Sequence, residues 1–192
     1  MVPVLLLSAA SCGGDDESSN GDPATSSPSP TPSEPDKPAW EKNYSQKQVD
    51  AFDAALARWG SYKERSERIF AAGKSTPEAN KVFKEFFPSP VWKTQAMQLE
   101  AYDKAGVKIE GLEDVYWSRP KYISKQARSV VIDQCVDYTS ASVTQNGKPA
   151  VPVKDRQRPS LRTINMEMPK GYDWLIYRIT ESGEGEARPC KP

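Results

Sequence analysis

The apolar pattern changes period once along this chain, and the place of the change dictates the fold class. Val49, Phe52, Leu56, Trp59, Tyr62 or Lys63, Ser66 and Phe70 recur every three or four residues, the stripe of a long amphipathic helix. Gly73 supplies its stop. Thr76-Pro77-Glu78 then offers a hydroxyl cap, a proline for the first helical position and an acid for the positive helix end. The short helix it opens carries Val82, Phe83, Phe86 and Phe87 on one side. Ser89-Pro90 repeats the signal and opens a third helix, with Trp92, Ala96, Leu99 and Tyr102 inward and Gly106 as its stop. These aromatic stripes read as core. After Gly106 the period is two. Val107 to Trp117 is expected as a strand interrupted near Gly111, and Arg128 to Tyr138 as a β-branched strand. Ser142 to Val153 holds Asn146-Gly147, the strongest short hairpin signal. Leu161 to Met168 and Tyr172 to Thr180 complete the set, joined through Lys170-Gly171. Helices first and antiparallel strands afterwards make an α+β layout, the long helix packing on a bent sheet.

Composition enters because 17 prolines and a 37% hydrophobic share fit one compact fold poorly across 192 residues. Much of the anomaly is local. Gly13 to Lys42 consists mostly of Gly, Ser, Pro, Asp and Glu and has too little to bury to recover its ordering entropy. Within it, Ser27 to Pro35 favours extended polyproline II at about 3.1 Å per residue. Lys plus Arg and Asp plus Glu are equal at 26 each, but seven of the acids and two of the bases lie through Asn43. The rest therefore carries 24 bases against 19 acids, a mildly basic body behind an acidic spacer. The expected organisation is a signal segment at 1–11, a disordered tether at 12–43 and a folded domain at 44–192.

Met1 to Ala10 is apolar and uncharged but too short for a spanning helix, which needs about 20 residues. It fits the h-region of an export signal. Ala9-Ala10-Ser11-Cys12 resembles the lipobox of bacterial lipoproteins, with Ala9 where leucine is usual and no basic residue upstream. That resemblance implies a diacylglycerol on Cys12, cleavage just before it, and a lipid-anchored, extracytoplasmic position on the outer face of the cytoplasmic membrane. Its alternative is an unmodified thiol. Export also means an oxidising setting, so Cys135 and Cys190, left over after lipidation, are expected to pair; two separate thiols are the alternative.

Histidine is absent altogether, which removes Ser-His-Asp and Cys-His pairs, imidazole bases and His-containing zinc sites. Three cysteines also exclude a four-thiolate zinc site. No metal and no cofactor is expected. Asp/Tyr proton transfer survives the exclusion. Asp133 and Asp137 share one strand face with Cys135, and Tyr177, Tyr62 and Tyr102 are possible partners. The opposite face, Val130, Ile132 and Val136, is the better core candidate, which leaves the aspartates outward or at a rim. Lys154, Arg156, Arg158 and Arg162 make a basic loop and strand start, with Arg119 and Lys121 as a second cluster. These clusters suit anionic lipid headgroups, wall phosphates or the acidic tether, or form an ordinary solvated loop. The small net charge and external position argue against nucleic acid.

Five segments resemble actinobacterial surface lipoproteins of unknown function, whose relatives occur in phage genomes. They are WGSYKERSERIFAAGKSTPEANKVFKEFF, AGVKIEG, VVIDQCVD, VTQNGKP and DWLIYRITE followed by a late cysteine. The resemblance implies an NTF2-like cone over residues 44–192, with a pocket between long helix and sheet, and carries over only Cys12 and the cysteine pair. The leading expectation is a non-catalytic binding or scaffold module for an envelope protein, wall polymer or small apolar ligand. The alternatives are an Asp/Tyr lyase or isomerase and a lipoprotein that excludes superinfecting phage.

Overall fold

The computed structural model describes residues 38–150, 158–181 and 190–191. Among these residues three α-helices precede every strand: α1 (Gln46–Ala72), α2 (Pro77–Phe86) and α3 (Val91–Ala105). Each boundary has a local cause. Ser45 donates its backbone N–H to the Gln48 side chain at 3.1 Å, closing a capping box at the start of α1. Gly73 ends it in the left-handed conformation at φ 61°, its N–H bonded to the Ile69 carbonyl. The Thr76 hydroxyl accepts the Ala79 N–H at 3.2 Å, with Pro77 at the first helical position of α2. The start of α3 departs from expectation. Its N-cap is Pro90, not a hydroxyl, and the Trp92 and Lys93 amides bond to the Pro88 and Pro90 carbonyls. Backbone carbonyls already satisfy those donors, so no side-chain cap is needed.

The folded part also begins upstream of Tyr44. Ala39–Asn43 forms a 3-10 turn that sets the Trp40 ring edge-on against Phe52, centroids 5.0 Å apart. Trp40 is the one large apolar side chain of the expected tether, and burial against α1 draws it into the domain.

The seven strands among the described residues form two antiparallel sheets. β1 (Val107–Glu110), β4 (Ser142–Gln145) and β5 (Lys148–Pro149) run in the order β1-β4-β5. β2 (Asp114–Ile123), β3 (Ser129–Asp137), β6 (Ser160–Glu167) and β7 (Leu175–Glu181) run in the order β2-β3-β6-β7. The expected interruption at Gly111 is thus a complete break. Gly111 has φ 87°, and the strands on either side pair with different partners, β1 with β4 and β2 with β3. Asn146 and Gly147 both have positive φ, 51° and 76°, and turn β4 into β5 as a tight hairpin requires. β7 starts later than expected: Gly171 turns at φ 82°, and exposed Tyr172 remains in the connection.

The core lies where α1 meets the four-stranded sheet. Phe52, Ala55, Trp59 and Tyr62 face Val130, Ile132, Ile164, Met166 and Ile176. Phe83, Phe86 and Phe87 close one side, with Tyr62 ring centroids 5.5 Å from Phe86 and 4.9 Å from Phe87. Burying each such side chain contributes about 1.5–3 kcal/mol. Cys135 and Cys190 form a disulfide with Cα atoms 5.7 Å apart. No described helix is long and apolar enough to cross a membrane.

Candidate functional site

The break at Gly111 lets the two sheets diverge, and a cavity of about 970 Å³ lies among α1, α3, the small sheet and β6–β7. Its size is at the upper end of the roughly 300–1,000 Å³ typical of small-molecule sites. Phe70 and Tyr102 supply helical wall, Val107, Ile109 and Val143 come from the small sheet, and Ile179 from β7. The ambiguity between Tyr62 and Lys63 in the α1 stripe resolves as a division of labour. Tyr62 packs on Phe86 and Phe87 and shows an edge to the cavity, and Lys63, one step round the helix, brings its charge to the lining beside Trp59.

A buried polar network ends this apolar chamber. Arg162 is 1% exposed, and its Nη2 donates to Glu113 Oε1 at 2.6 Å and to Gln134 Oε1 at 2.8 Å. Lys63 takes the other Glu113 oxygen at 2.8 Å. Trp59 Nε1–H also donates to Gln134 Oε1, at 3.0 Å, and the guanidinium lies 4.9 Å from the Trp59 ring centroid. Tyr138 hydroxyl donates to Glu181 at 2.7 Å and stands 3.4 Å from Arg162 Nη1. Burial raises the Tyr138 phenol, and Glu181 reinforces the shift, so the hydroxyl stays protonated.

Burial alone would raise the Glu113 carboxyl. Arg162 and Lys63 outweigh it and hold the group below its ordinary value of 4.5. A carboxylate with both oxygens occupied by cations is a charge anchor and not a poised base. Its folded pKa lies below the unfolded one, so its contribution is complete above the unfolded value and lost as pH falls through the folded value. Urea midpoints of the wild type should therefore fall, as pH drops below the ordinary value of 4.5, more steeply than those of Glu113→Gln. Parallel profiles would contradict a charged Glu113 in the folded state.

The expected site residues are dispersed. Arg162 is no surface residue, which corrects its place in the basic cluster. It points the same way as Ile164 and Met166, with strand period two, into the domain. Arg158 is exposed, and Lys154 and Arg156 lie outside the described residues, as does Cys12. Asp133 and Asp137 do lie opposite Val130, Ile132 and Val136, but they are buried and not open to solvent. Asp133 accepts the Thr163 hydroxyl at 2.6 Å. Asp137 is held low by the Thr139 backbone N–H at 2.9 Å and also takes the Tyr116 hydroxyl, the reverse of a proton-transfer base. Neither aspartate lines the cavity, nor does Tyr177, whereas Tyr62 and Tyr102 do. Among the described residues no acidic or cysteine cluster could hold a metal.

No family model matches the chain, and no curated protein is similar to it. The fold is similar to the crystal structure of the intermembrane space region of the chloroplast protein ARC6, with TM-score 0.43 and 9% identity. That likeness covers 71% of this chain and 96% of the other.

Proposed function

We propose that this chain is a non-catalytic binding module, an NTF2-like cone held outside the cytoplasmic membrane by a lipid on Cys12. The cavity carries the reading: a chamber of about 970 Å³ whose lining is largely aliphatic and aromatic, with the Lys63–Glu113–Arg162 ion triad at one end. Ionised groups held by partners suit recognition. Proton transfer needs an acid or base whose pKa is brought near the working pH. The ligand is a small, largely apolar molecule.

Saturable, one-to-one uptake of dodecanol by the full chain is the result this reading requires, and a chain that takes up none is not such a module. The anchor has its own test. Metabolic palmitate should label the wild type and leave Cys12→Ala unlabelled; equal label, or none in either, would contradict lipidation at Cys12.

A further inference from the structure

The charged end of the cavity is unevenly balanced. Two cations, Lys63 and Arg162, share one carboxylate, Glu113, each on a separate oxygen. The triad therefore carries one net positive charge where the Arg162 and Glu113 side chains are 1% and 5% exposed. Arg162 is also short of acceptors. Its Nη2 uses both hydrogens, on Glu113 and Gln134, and Nη1 reaches the Tyr138 hydroxyl only at 3.4 Å. Its buried Nε has no hydrogen-bond partner among the described residues. Buried donors and unbalanced buried charge both carry a free-energy penalty that an added anionic acceptor removes.

The remaining charges of the lining limit what that acceptor can be attached to. Glu181 is exposed and takes the Tyr138 hydroxyl, and Glu67 is half-buried. Both are more exposed to water than Glu113, although Glu181 borders the triad through the Tyr138 hydroxyl, and they oppose a second negative group on the ligand. Phe70, Ile109, Val143 and Ile179 supply apolar wall elsewhere in the cavity. One anionic head on an uncharged apolar body is the chemistry that matches these surfaces.

Resting on the cavity-binding reading above, we infer that the cavity binds a single-chain amphiphilic carboxylic acid of the fatty-acid class. Its carboxylate sits at Lys63 and Arg162, and its chain runs along the aliphatic wall. Glu113 has a definite part in this arrangement. It holds the two cations together and weakens the site, so its removal acts on affinity in the direction opposite to removal of Lys63.

The test is calorimetric titration of the full chain, carrying Cys12→Ser so that no acyl group is attached, at neutral pH. The probes are dodecanoate, dodecanol and dodecylammonium, each below its micelle concentration. Dodecanoate should bind about tenfold or more tightly than either other probe, the scale of one charge-assisted hydrogen bond. Lys63→Met should lower dodecanoate affinity about tenfold and leave dodecanol unchanged, and Lys63→Arg should restore it. Glu113→Gln, once circular dichroism shows it folded, should tighten dodecanoate binding. Equal affinity for all three probes, or preference for the amine, overturns the carboxylate inference and leaves the cavity reading standing. No binding of any probe overturns both.

Discussion

Replacing Arg162 by methionine should lower the unfolding free energy by about 3–5 kcal/mol in denaturant titration. Methionine has nearly the length to fill the space but leaves Glu113 and the Gln134 carbonyl oxygen without their guanidinium. The loss comes chiefly from desolvation: a carboxylate on a 5% exposed side chain keeps its charge and loses one of two neutralising partners. Adding Glu113→Gln to Arg162→Met should recover part of the loss, because an amide at that position needs no counter-charge. Arg162→Lys should fall in between, since an ammonium keeps the charge but cannot reach Glu113, Gln134 and Tyr138 from one planar fork. An exposed pair calibrates the scale. Lys104 and Glu100 are 2.6 Å apart with side chains 74% and 53% exposed, and breaking that pair should leave stability nearly unchanged. If Arg162→Met has a comparably small effect, the triad is solvated and the buried charge described above does not exist.

The second large effect is that of the disulfide. Cys135 and Cys190 are 55 residues apart, and the chain-entropy model gives a loop of that length about 4 kcal/mol. The joint change Cys135→Ala and Cys190→Ala should reduce unfolding free energy by that amount. The damage should also be confined to one face. Cys135 points away from Val136 and Gln134, on the side of β3 opposite the cavity, and Trp117 is its partner in β2. The bridge brings the chain end there, so that Trp117 Nε1–H donates to the Lys191 carbonyl at 2.8 Å. Loss of the bridge should free that contact and alter Trp117 emission while dodecanol uptake persists. Loss of uptake along with the bridge would mean that the two faces of the sheet are not independent.

Much of the fold was legible because its signals are local. Gly73 and Gly106 both end helices with positive φ, Thr76 caps α2 with its own hydroxyl, and Asn146-Gly147 turns where a hairpin needs it. The charged end of the cavity was less accessible for three different reasons. Lys63 occupies an apolar stripe beside Tyr62, and only tertiary packing shows that its charge reaches the cavity. Arg162 carried a readable signal, its alternation with Ile164 and Met166, but nearby Lys154, Arg156 and Arg158 made a basic surface the simpler interpretation. Glu113 lies in the short connection after Gly111, where no periodicity assigns a direction. Its role arises from the divergence of two sheets, a non-local event. Asp133 and Asp137 share a strand face by their spacing, yet Thr163 and Thr139 satisfy them on the side away from the cavity.

The proposed binding site is the space between α1 and the two sheets. Methyl-detected NMR of the full chain, titrated with dodecanol, examines it directly. Shifts should concentrate on Ile109, Val143 and Ile179, saturate together at one equivalent, and vanish in a Val143→Trp variant that remains folded. Shifts confined to the exposed side of β2, at Val115 and around Tyr116 and Tyr122, would contradict the account.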